Sequence, residues 1–179
     1  MLTILLAAFA AGFLTKFTDL IVDKDIKADK RIAYVTGALY GLAIAYVMTS
    51  EPALAPLGVA LTLAVIITRK IDRLPHTLGI AALAAGLVAM GFRGADVLQV
   101  AVFLLAGIGD EIGNSLADRG KIKGVPAKLL KSRLMLIEPA AFAVSLLTGQ
   151  WIIFAGIVCF DAAYQLTTRI AKKRKGRAA

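Results

Sequence analysis

The chain has 179 residues, of which 59% are hydrophobic and only 18% charged. A soluble domain of this length needs polar cover, with roughly a quarter of its residues charged, so composition excludes that class and points to an integral membrane protein. The 21 Lys and Arg outnumber the 12 Asp and Glu, for a formal charge of +9. With few aromatics and no soluble segment to carry a groove, that excess reads as a topology signal and as contact with anionic lipid headgroups, not as nucleic-acid binding.

The chain opens on Leu2–Val22, an apolar run with no basic residue before it and its charges after it. That order is the reverse of a secretory signal and predicts a first span with its N-terminus outside. A helix needs about 20 residues to cross a ~30 Å hydrocarbon core, and backbone groups in lipid must bond within their own helix. Six further helical spans are predicted on this basis: Ile32–Met48, Ala53–Ile67, Thr77–Phe92, Val97–Leu116, Leu134–Thr148 and Trp151–Ile170. Several are short, so interfacial ends or a thin bundle centre are expected.

The connections alternate in charge. The first carries Lys24, Lys27, Lys30 and Arg31, the third Arg69, Lys70 and Arg73, and the fifth Arg119, Lys121, Lys123, Lys128, Lys131 and Arg133. The second and sixth carry no basic residue and the fourth only Arg93, while the tail, residues 172–179, is densely basic. By the positive-inside rule the odd connections and the tail are cytoplasmic. The expected fold is therefore an all-α polytopic bundle of about seven spans in the cell membrane. Its layout is compatible with a parallel 3+1+3 repeat, with halves 1–74 and 95–171 joined by a span over 77–92. Close helix contacts are expected at the small-residue pairs Gly37/Gly41, Ala82/Gly86 and Gly109/Gly113. A homo-oligomer stays open.

Ten of the 12 acidic residues fall on the cytoplasmic side of this layout, all but Glu51 and Asp96. Lys16, Asp19 and Asp23 share one face of the first span, with Asp25 in the loop beyond; Asp110 and Asn114 share one face of the fifth, with Asp118 a turn on. Glu138 sits about one turn inside the sixth span, and Asp161 lies within the seventh. Acids in lipid are costly and usually face a cavity or a partner. Hard oxygen donors on neighbouring helices suit Mg²⁺ or Mn²⁺ bridging a phosphate. Asp19, Asp23, Asp110, Asn114 and Asp118 are therefore the expected metal ligands, and Glu138 and Asp110 the expected catalytic groups. Lys16, Arg31 and Arg133 are expected to bind phosphate directly. His76, the only histidine, opens the fourth span and is expected at the interface rather than as a ligand or base.

The Asp19-Leu-Ile-Val-Asp23 spacing resembles the acidic motif of the intramembrane aspartate-rich prenyltransferases, whose members bind isoprenyl diphosphate through Mg²⁺. The segment Gly109-Asp110-Glu111-Ile112-Gly113-Asn114 departs from that family's NDxxDxxxD motif, and the chain is shorter than its usual members. The three-helix halves are similar in layout to sugar transporters built from such halves, without their proline-glutamine signature. Two readings follow from the residues. One is a divalent-metal-dependent enzyme or binder acting on a lipid-linked phosphate or diphosphate. The other is a small cation or solute transporter or channel, against which the almost wholly apolar span centres count.

Overall fold

A computed structural model of the protein describes residues 1–23, 26, 28–69, 71, 73–130 and 134–178, with side chains omitted for 128–130 and 174–178. Asp25 and Arg133 lie outside the described residues, which contain helices and no strand. Each of the seven predicted segments is a helix: α1 (Leu2–Val22), α2 (Lys30–Ser50), α3 (Ala55–Ile67), α4 (Leu74–Ala89), α5 (Val97–Asp118), α7 (Ile137–Thr148) and α8 (Ile152–Ala178). A short 3-10 turn, Pro52–Leu54, leads into α3, and a helix not expected from the charge pattern, α6 (Gly124–Leu130), interrupts the fifth connection. Three of the helices, α1, α2 and α5, are long and apolar enough to cross a membrane. The outward face of α1 carries Leu2, Leu6, Phe9 and Phe13, and that of α2 carries Val35, Leu39, Leu42 and Tyr46. Apolar stripes at such i, i+4, i+7, i+11 spacing would be a liability in water; against lipid they are the side that faces solvent.

Local chemistry sets the helix ends. Asp29 caps α2 by accepting from the Arg31 N–H at 2.9 Å, and Asp96 caps α5 by accepting from the Gln99 N–H at 2.8 Å, each satisfying a donor with no partner in its own helix. Pro56 and Pro75 sit in the first turns of α3 and α4, where the missing N–H costs nothing. α7 starts three residues later than expected because Leu134 takes a left-handed conformation (φ 69°) that cannot belong to the helix. It stops at Gly149, also left-handed.

The helices group into two compact units, 1–51 with 71–93 and 158–179, and 52–70 with 94–157. α3 counts with the second unit and most of α8 with the first. In the first unit α2 packs on both α1 and α4. The expected Gly37/Gly41 contact is present: a Cβ at Gly37 would overlap the Pro75 carbonyl, and one at Gly41 the Gly79 carbonyl. Backbone meets backbone here, an approach open only to glycine. Gly12 of α1 lies in the same way against the Phe160 carbonyl of α8. Buried hydroxyls of Thr18 and Thr36, 2.7 Å apart, add a polar tie between α1 and α2.

In the second unit α5 packs on α3 and α7, with Gly107 against Ala64 and Ile137, and Gly109 against Leu136. Phe103, Ile137 and Ile153 are fully buried. Phe142 stands edge-on to Trp151 and Phe154 at 5.7 and 5.4 Å.

Candidate functional site

Lys16 and Asp19 are one turn apart on α1 and are the charged residues of an otherwise mostly apolar helix. The two share a face as expected, and Lys16 Nζ stands 3.7 Å from Asp19 Oδ2, longer than the 2.7–2.9 Å typical of a tight charge-assisted bond. Asp19 is held more closely by others. The Tyr164 hydroxyl of α8 donates to Oδ2 at 2.6 Å, and His76 Nε2 of α4 lies 3.2 Å from Oδ1. The other ring nitrogen, Nδ1, is 3.2 Å from the Tyr40 hydroxyl of α2, which also donates to the His76 carbonyl at 3.3 Å. Lys16 completes the set by donating to Tyr164 Oη at 3.4 Å, with its ammonium 4.9 Å from the centre of that ring.

The result is one polar chain, Lys16–Tyr164–Asp19–His76–Tyr40, drawn from all four helices of the first unit. Lys16, Asp19 and His76 side chains are only 15–17% exposed. Gly79, one turn after His76 on the same face of α4, makes the space for the Tyr40 ring. Deeper in α8, buried Asp161 accepts from Gln165 of its own helix.

The other expected site residues fall elsewhere. Asp23 caps the C-terminus of α1 and is exposed, because the helix ends before it can share the face of Lys16 and Asp19. Arg31 is exposed in the first turn of α2. In the second unit Asp110 is buried and uses both oxygens on backbone: Oδ1 accepts from the Leu136 N–H at 2.8 Å and Oδ2 from the Ile137 N–H at 3.1 Å. A carboxylate of α5 thereby caps the start of α7 from outside. Asn114 is half-buried one turn on, Asp118 is exposed at the end of α5, and half-buried Glu138 follows Ile137 in α7.

Among the described residues no three His, Cys, Asp or Glu side chains gather as a group able to hold a metal. The donor chemistry agrees within each unit: the Asp19 oxygens face a histidine, a tyrosine and a lysine, and the Asp110 oxygens face two amides. Each of the two carboxylates is engaged by protein donors of its own unit.

His76, Tyr40 and Tyr164 are the site residues that sequence reasoning missed. His76 was expected at the interface alone; the structure joins it to Asp19. The signal available was a histidine directly after the helix-starting Pro75, and a tyrosine, Tyr40, within an otherwise apolar run. Nothing in the spacing pairs Tyr164 with Lys16 across 148 positions.

What the fold and the site define is an all-helical protein of membrane type, carrying a partly buried polar cluster with a loosely held cation at its edge. Comparison with protein-family models, with curated proteins and with solved structures finds no match to the chain in any of the three. The prenyltransferase and sugar-transporter resemblances gain no support there.

Proposed function

We propose that the chain is a multi-pass protein of the cell membrane, with about seven spans, N-terminus outside and basic tail in the cytoplasm, and that its polar cluster seats the phosphate of a lipid-linked phosphate or diphosphate. The alternating loop charge supports the orientation, and the three long and three shorter apolar helices, with the apolar first half of α8, support the span number. In that orientation Lys16 and Asp19 near the end of α1, and His76 at the start of α4, lie at the level of the cytoplasmic headgroups.

The observation that carries the reading is the loose hold on Lys16. Asp19 is engaged at 2.6 and 3.2 Å by Tyr164 and His76, while the lysine's two partners stand at 3.4 and 3.7 Å. An ammonium has three donors to satisfy. In a cluster this enclosed, an anionic oxygen is the acceptor that fits beside it, and a lipid phosphate supplies one at the right depth.

Binding of phosphatidic acid to the detergent-purified chain, compared with Lys16→Met, tests this. The substitution is expected to weaken binding about tenfold or more, the scale of a lost charge-assisted contact. Equal binding by both proteins rules the seat out, and solute flux in liposomes then becomes the measurement of interest.

A further inference from the structure

The outward stripe of α1 ends on the cluster. Leu2, Leu6, Phe9 and Phe13 are exposed, and three residues after Phe13 the same helical spacing reaches Lys16, so the lysine stands at the foot of that face. Phe13 also stacks on Phe17, one turn on, with ring centroids 5.8 Å apart. On its other side Lys16 meets α8. Gly12, one turn before it, lies against the Phe160 carbonyl, and the lysine itself donates to Tyr164. Lys16 therefore sits at the seam where the outward face of α1 gives way to its contact with α8.

Two properties of that position point to an occupant. The ammonium is shielded, with 16% of its side chain exposed, and its hydrogen-bond and ion-pair partners among the described residues stand long, at 3.4 and 3.7 Å. Donors are left to satisfy, beside a stripe that is uncovered and wholly apolar. Arg31 extends the outward face of α2 in a similar way but is itself exposed, so water meets its charge. At 1.5 Å per residue, Leu6 lies about 15 Å from Lys16 along α1. That is half of a ~30 Å hydrocarbon core, the depth of one leaflet.

We propose that the stripe is the tail site of the lipid whose phosphate Lys16 holds: one anionic lipid of the cytoplasmic leaflet lies along α1, its headgroup at Lys16 and a hydrocarbon chain over Phe13, Phe9 and Leu6. This rests on the phosphate reading above and narrows it. The ligand is a membrane-resident lipid that arrives sideways from the bilayer, and a free phosphate lacks the part that the stripe recognises. Dispersion contacts with the two rings hold the chain, and the charge contact selects an anionic headgroup over a zwitterionic one.

The chain contains one tryptophan, so quenching by lipids brominated in mid-chain can be read from a single reporter. In a Trp151→Phe background, Phe9→Trp places that reporter about 10 Å from Lys16 along the helix, at the level of the bromines. The full chain is reconstituted in phosphatidylcholine nanodiscs carrying rising fractions of brominated phosphatidic acid or, separately, of brominated phosphatidylcholine. Leu105→Trp, on the exposed face of α5, a helix without Lys or Arg, is the control. Brominated phosphatidic acid is expected to quench the Phe9→Trp reporter at about a tenth of the fraction that brominated phosphatidylcholine requires. The two lipids are expected to act alike on Leu105→Trp. Adding Lys16→Met is expected to remove the preference, and Lys16→Arg, which keeps the charge, to retain it. Equal quenching at Phe9→Trp, with Lys16-dependent binding of phosphatidic acid intact, overturns the tail site and leaves the phosphate seat. No Lys16-dependent binding overturns both. A preference that survives Lys16→Met, or that Leu105→Trp shares, overturns the assignment to this stripe.

Discussion

His76 Nε2 and Asp19 Oδ1 stand 3.2 Å apart, joining the start of α4 to the end of α1. α2 lies between them in the chain and closes the arrangement with Tyr40. A hydrogen bond to a charged group contributes about 1.5–3 kcal/mol. His76→Leu is therefore expected to destabilise the chain by about that amount in detergent, and His76→Gln, which keeps a donor, by less. Thermal unfolding of the two variants beside the parent measures it. An equal, negligible change in both would remove the pair from the fold's supports.

Asp110 is expected to behave as a helix cap. Asp110→Ala leaves the Leu136 and Ile137 amides without their acceptors, at a cost of about 1–2 kcal/mol by analogy with lost caps. Asp110→Asn keeps one acceptor oxygen and is expected to cost less. Faster amide hydrogen exchange at the start of α7, with phosphatidic acid binding retained in the Asn variant, is the expected pattern. Loss of binding in an otherwise stable Asn variant would return Asp110 to the functional site.

Mg²⁺, Mn²⁺ and EDTA are expected to leave the melting temperature of the purified chain unchanged. A metal bound only by the folded state at 100 times its dissociation constant adds about 2.7 kcal/mol, enough to register. A metal-dependent rise, lost in Asp19→Asn, would restore the metal reading of the acids.

Gly41→Ala is expected to separate α2 from α4, since the new methyl group falls on the Gly79 carbonyl. Overpacking of this kind costs about 1–3 kcal/mol. The same substitution at Gly91, a turn position with open space around it, carries backbone strain but no packing clash. Destabilisation at 41 without loss of α2–α4 crosslinking, between cysteines placed on the two helices, would argue against the contact.

Topology is checked by cysteine labelling in intact cells, in a chain whose single Cys159 is first replaced by Ala. Ser50→Cys and Gly149→Cys are expected to react with an impermeant reagent, and Lys123→Cys to stay unlabelled. Reversal of that pattern inverts the orientation.

The helices were legible because lipid imposes a simple pattern. Apolar runs bounded by charge gave a helix at each of the seven expected segments, and α1 was located to the residue. Gly37 and Gly41 were legible as a contact because only packing brings helices together in lipid. α6 was hidden because a short helix in a basic connection leaves no periodic apolar signal. The site was half legible: Lys16 and Asp19 share a face by helical spacing alone, whereas Tyr164 meets them only after the chain has crossed from α1 to α8. Asp23 and Asp110 have local roles that the sequence did not show. One sits where the helix stops, and the other spends its oxygens on amides that no sequence rule pairs with it.

The glycine at 79 has a consequence for how function will map onto this chain. It holds no proton, binds no ligand and carries no charge, yet a Cβ there would strike the Tyr40 ring near its hydroxyl. A methyl group at that position would turn the phenol away from His76 while leaving every ionisable residue in place. A mutational scan scored on activity should therefore mark 79 as intolerant as 76, and a comparison based on polar residues alone would pass over it.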